Sequence, residues 1–148
     1  MKEDIEMNNI PQKAQDALNE RFNHDCLISL ATAANNIPYV RTVNAYYENG
    51  VFYIITYALS AKIVQIKQNP IVAISGDWFT AHGLAEDLGY VLDPKNEELI
   101  VKLRNAFSSW YSNGHTNEAD ENTHILCIRL KKGILFDHGT RYDLEFNG

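Results

Sequence analysis

The chain has 148 residues, 45% of them hydrophobic, which suits one domain with a core that needs no disulfide or metal staple. Thirteen basic against 19 acidic residues give a formal charge of −6, a surface that repels nucleic acid. No basic segment followed by an apolar stretch opens the sequence, and apolar runs such as Val51 to Ala58 are too short to span a bilayer, so the expectation is a cytoplasmic protein without a membrane partner.

Residues 1–9 are polar and read as a frayed start to a single domain covering 1–148. Asn9 as cap and Pro11 in the first turn predict a helix. Its apolar stripe is Ile10, Ala14, Ala17, Leu18 and Phe22. A β region follows: Cys26 to Ala33, a turn at Asn35-Asn36, Tyr39 to Tyr47, a hairpin signal at Glu48-Asn49-Gly50, and Val51 to Tyr57. These three strands should pair in order as a meander. Ser60 is placed to cap a short helix, Ala61 to Lys67, which Asn69-Pro70 ends.

Ile71 to Asp77 and His82 to Leu92 are the next strands. Asp93-Pro94 opens a third helix with Glu97 and Glu98 in its first turn. Leu99, Leu103, Ala106, Phe107 and Trp110 form its apolar side, and Tyr111 to Asn122 reads as a loop. Closing strands are expected at Thr123 to Leu130 and Ile134 to Phe136, separated by a Lys131-Lys132-Gly133 turn, with a short strand from Arg141 to Phe146. The whole is an α+β domain: an antiparallel six- or seven-stranded barrel with three flanking helices. Helices do not alternate regularly with strands, which argues against a Rossmann sheet.

Cys26 and Cys127 lie in apolar strand-like runs and read as buried free thiols rather than a disulfide or redox pair. His24, His82, His115, His124 and His138 lack the HxxxH or HxxE spacing of a zinc site, so no metal is expected. No nucleophile elbow or P-loop is present, and no catalytic acid or base stands out.

The informative stretch is 40–62. Strand alternation puts Arg41, Val43 and Ala45 on one face and Thr42, Asn44 and Tyr46 on the other. If the second and third strands pair, Arg41, Ser60 and Lys62 converge, joined by the amides of a helix N-terminus. A planar fork, a point charge and a hydroxyl are what a phosphate needs. The competing reading is an arginine paired with a surface carboxylate beside an ordinary helix cap and a solvated lysine.

The ordered set Arg41-Thr-Val-Asn, FYIIT ending at Thr56, Ser60-Ala-Lys62, and Asn69-Pro70 before a strand resembles the pyridoxamine 5′-phosphate oxidase-like, FMN-binding split-barrel superfamily. The general-stress-protein subgroup is the nearest. Gly83-Leu-Ala85-Glu86 is similar to that family's GxAE strand, and Ser109-Trp110-Tyr111 continues the match, so it covers about 26–136. The resemblance implies a flavin mononucleotide (FMN) whose phosphate is held by Arg41 and Lys62, with Ser60 and Ala61 beside it. Thr42, Val43 and Asn44 would line the flavin, Ile55 and Thr56 would lie against its ring, and Trp78 and Trp110 would close the pocket.

It also implies a homodimer with the flavin at the interface, which suits a supply of eight Tyr, six Phe and two Trp. A small-molecule substrate or electron donor completes a flavin-dependent oxidoreductase. The alternatives are a flavin-binding stress protein without turnover, or the same barrel holding heme or a deazaflavin. The oxidase proper ends in a segment whose arginine and tryptophan contact substrate and flavin. This chain ends GTRYDLEFNG without that match, so efficient oxidase activity toward pyridoxamine phosphate is not expected.

Overall fold

The computed structural model describes residues 9–146; the frayed start expected over 1–9 lies, except for Asn9, outside the described residues. Alternating burial through Cys26–Ala34 (β1) sends Ile28, Leu30, Thr32 and Ala34 to one interior. β2 (Ile37–Glu48) pairs with β1 over nine residue pairs, from Ala34↔Ile37 to Cys26↔Ala45. Asn49 and Gly50, both with positive φ (46° and 85°), close the next hairpin to β3 (Val51–Tyr57). A two-residue turn of this kind matches the twist of the strands.

The first three strands form the expected meander, and β4 (Ile71–Gly76), β5 (Phe79–Tyr90), β6 (Thr123–Asp137) and β7 (Thr140–Glu145) extend it in the order β3-β2-β1-β4-β5-β6-β7. Pairing of β3 with β6, from Val51↔Arg129 to Tyr57↔Thr123, closes six strands into a barrel with β7 added at the edge. All pairings are antiparallel, and the architecture is α+β.

Closure is incomplete where it matters for the site. β2 and β3 pair only at Tyr46↔Tyr53, Tyr47↔Phe52 and Glu48↔Val51. Beyond those pairs β2 stays with β1 while β3 follows β6, and the two strands part. The expected β2–β3 ladder therefore does not reach Arg41.

Helix α1 (Gln12–Phe22) plugs the barrel with Phe22, whose ring meets Phe52 at 5.5 Å and Phe79 at 5.8 Å. Its cap position is held by Pro11 and makes no side-chain bond, so Asn9 is not the cap. Helix α2 (Ala61–Gln68) buries Ile63 and Ile66. A 3-10 turn, Pro94–Asn96, leads into α3 (Glu97–Ala106), whose Ile100 and Leu103 pack outside the barrel with Val91, Phe107, Tyr111 and Ile125.

Two strand boundaries differ from expectation. β6 is one strand of 15 residues, not two strands split at Lys131-Lys132-Gly133. Gly83 pairs with Leu130 and His82 with Lys132, so Lys131 is the extra residue of a bulge. Gly133 serves close approach rather than a turn: a Cβ there would stand 2.9 Å from Thr80 O and from the Phe79 ring. β5 starts at Phe79, three residues before the expected His82, because Asp77 and Trp78 alone make the turn, with Trp78 at φ 50°. Cys26 and Cys127 are free thiols. Among the described residues no helix is long and apolar enough to cross a membrane.

Candidate functional site

Arg41 sits half-buried on β2, on the face it shares with Val43 and Ala45, and its Cα partner on β1 is Leu30. Its Nη1 donates to Thr32 Oγ1 (2.8 Å) and Leu30 O (3.3 Å), and its Nη2 donates to Gln65 Oε1 (2.7 Å). Thr32 Oγ1 in turn donates to Gln65 Oε1 at 2.6 Å. Burial lowers the basicity of the guanidinium.

Lys62 lies in the first turn of α2 and donates from Nζ to Thr56 Oγ1 on β3 at 2.7 Å. Its pKa is lowered from 10.5, first by burial and then by the charge of Arg41. Two cations thus sit within each other's field. Every hydrogen bond either one donates goes to a neutral oxygen, and neither forms an ion pair with a carboxylate among the described residues. The competing sequence reading, an arginine paired with a surface carboxylate, does not describe this arrangement.

Ser60 occupies the cap position of α2, yet its side chain makes no cap bond. Its Oγ is buried without a hydrogen-bond partner, one of two such side-chain atoms among the described residues. A buried hydroxyl in that condition is uncommon and is stabilised only by a group that bonds it. The first intrahelical bond runs from Val64 N to Ser60 O (3.2 Å), so the amides of Ala61, Lys62 and Ile63 precede the helical ladder. Two uncompensated cations, an unpartnered hydroxyl and the positive end of a helix suit a phosphate in charge and donor type.

The remaining candidates divide. Thr42 is exposed on the outer face of β2, Val43 faces inward, and Ile55 packs against the α3 cluster. Asn44 donates from Nδ2 to Asp25 Oδ1 (3.0 Å), and Trp110 donates from Nε1 to Asp25 Oδ2 (3.0 Å), so Asp25 ties the end of the α3 segment to β2. Trp78 is 73% exposed on the β4–β5 turn, edge-on to Phe136 at 6.4 Å. The cavity beside it is lined by Arg21, Phe136, Asp137, His138 and Gly139, none of which bonds Arg41 or Lys62. Thr32, Gln65 and Asp25 escaped the sequence reading. Thr32 carried a signal: it is a polar residue on the buried parity of β1, two positions after Leu30.

No protein-family model and no curated protein sequence matches the chain. Its fold matches solved structures over most of its length. General stress protein 26 from Bacillus anthracis aligns with a TM-score of 0.66 at 19% identity, over 88% of this chain and 98% of that one. A protein from Clostridium acetobutylicum, related to general stress protein 26 and of the pyridoxinephosphate oxidase family, aligns at 0.61 and 16% identity, over 88% and 91%. A FAD-binding protein from Mesorhizobium loti aligns at 0.61 and 16%, over 79% and 89%. At these identities the likeness is one of fold: this chain has the split barrel of the pyridoxamine 5′-phosphate oxidase-like proteins.

Proposed function

We propose that this chain binds FMN and serves as a flavin-dependent oxidoreductase. The observation that carries the reading is the Arg41–Lys62 pair, two mutually repelling cations without a carboxylate partner among the described residues, beside the unpartnered Ser60 hydroxyl. The phosphate would be held by Arg41, Ser60 and Lys62, with the amides of Ala61 and Lys62 as further donors. Thr42, Val43, Asn44 and Ile55 stand on the strands that flank the gap between β2 and β3, the place for the rest of the cofactor. The flavin supplies the electron-transfer chemistry when bound. The chain's own part is to fix the phosphate, orient the ring and exclude water. The Mesorhizobium neighbour, named as FAD-binding, supports a flavin in this fold.

The second part of the proposal is a homodimer with the flavin at its interface. The outer faces of β1, β2 and β4 bear exposed Leu27, Val40 and Ile71, with Ala31 paired to both Val40 and Ala73 between them. A face of small and aliphatic side chains suits a second copy of the same face. Trp78 and Trp110 would border the pocket only in that assembly.

The test is the identity of the small molecule that copurifies. The reading requires a flavin absorption spectrum and the mass of the mononucleotide. A heme or deazaflavin spectrum, or a colourless protein that takes up no added FMN, would overturn it.

A further inference from the structure

We propose that Gln65 and Thr32 are positioning residues for Arg41, and that the neutrality of the Gln65 amide sets the affinity of the site for a phosphate dianion. The inference rests on the phosphate reading above and names what tunes it.

A half-buried arginine is ordinarily held by a carboxylate, whose two oxygens match its fork. Here the same geometry is assembled from two neutral side chains. Gln65 Oε1 takes Arg41 Nη2 at 2.7 Å, and Thr32 Oγ1 takes Nη1 at 2.8 Å. The only hydroxyl proton of Thr32 goes to Gln65 Oε1 (2.6 Å), which leaves its lone pairs for the guanidinium. The two holders therefore fix each other as well as the arginine. Thr32 is 2% exposed, so its rotamer is set by the barrel interior. Gln65 follows Lys62 by three residues on α2, so one helix face presents both the lysine and the group that holds the arginine.

Two consequences follow from the chemistry. The fork is oriented without being neutralised, so its full charge remains for a ligand. The bonds to Leu30 O, Thr32 and Gln65 use three of the five N–H donors. Nε–H and the second Nη2–H remain, on one edge of the guanidinium plane, spaced for two oxygens of one phosphate. A carboxylate at position 65 would hold the fork equally well and cancel the charge.

The test compares Gln65→Glu, Thr32→Val and Thr32→Ser with the parent protein, titrating FMN and riboflavin and recording the melting temperature without ligand. Gln65→Glu is expected to keep or raise the melting temperature while FMN affinity falls about tenfold to a hundredfold, the worth of a charge-assisted contact. Riboflavin affinity should stay within about twofold, inside the spread of a lost surface contact. Thr32→Val should weaken FMN selectively, and Thr32→Ser should restore it. A Gln65→Glu protein that binds FMN like the parent, or loses FMN and riboflavin alike, would overturn the inference while leaving the phosphate site standing. A parent protein that does not distinguish FMN from riboflavin, and gains no thermal stability from inorganic phosphate, would remove the phosphate reading and this inference with it.

Discussion

Lys62 and Arg41 stand close enough that the guanidinium lowers the basicity of the ammonium, and among the described residues each is bonded only to neutral oxygens. Two half-buried like charges disfavour one another, and an anion between them removes that cost. Ser60 makes the same point through a different interaction, because its hydroxyl is buried with no partner.

Ser60→Ala separates binding from folding. An unpartnered buried hydroxyl costs about 1–3 kcal/mol, so the variant without ligand should melt no lower than the parent. FMN affinity should fall about tenfold to a hundredfold, the loss of one hydrogen bond to a charged group. Thermal melts and titrations of the two proteins check it. A variant that melts lower and binds FMN equally well would make Ser60 a purely structural residue.

Self-association is expected through the outer faces of β1, β2 and β4. Light scattering should give twice 16.8 kDa. Val40→Asp combined with Ala73→Asp puts charge into the middle of that face and should yield monomers with weakened FMN binding. A parent protein that is monomeric at micromolar concentration with FMN present would count against a site at the interface.

Much of this was legible in the sequence because strand parity is a local property. The bounds of β3 and the face that Arg41 shares with Val43 and Ala45 follow from alternation, and Asn49-Gly50 fixes the hairpin between β2 and β3. The rest depends on long-range pairing. Lys131-Lys132-Gly133 carries turn chemistry, but β6 must bridge β3 at one end and β7 at the other, so the chain absorbs Lys131 as a bulge and runs on. Asp25, Asn44 and Trp110 form one network from three distant segments, which no spacing rule exposes. Gln65 reads locally as an ordinary helix residue and gains its role only from Arg41 across the barrel wall.

Stability should fall as pH rises above about 9, on the thiol and phenol reference values. Burial raises Cys26 to about 12, Cys127 to about 11 and Tyr53 to about 12, and pushes Tyr47 and Tyr111 up as well. The unfolded chain releases these protons first, near 9 for the thiols and 10 for the phenols, so alkali favours unfolding. Lys62 works in the opposite sense. Its folded pKa is below 10.5, so just below that pH the unfolded chain holds the extra proton and folding gains as pH rises. Denaturant midpoints between pH 7 and 10.5 should therefore fall, and fall more steeply in Lys62→Met. A flat profile in both proteins would contradict the burial of these groups.

Oxidation of pyridoxamine 5′-phosphate should be slow even with FMN bound. A second phosphate needs further cations, and the candidates are engaged: Arg129 with Glu86, Arg141 with Asp143, and Lys132 with Glu145. The measurement is hydrogen peroxide release by FMN-loaded protein, expected far below the enzyme median of about 10 per second. Turnover near that median would show a substrate site that the C-terminal strand β7 does not reveal.

Calorimetric titration of FMN and riboflavin into the parent protein and Arg41→Ala decides whether Arg41 and its neighbours hold a phosphate. The parent should prefer FMN. Arg41→Ala should weaken FMN by about tenfold or more, the loss of charge-assisted bonds of about 1.5–3 kcal/mol each. Riboflavin binding should hardly change. Equal losses for both ligands would contradict the assignment and place the role of Arg41 in the fold alone.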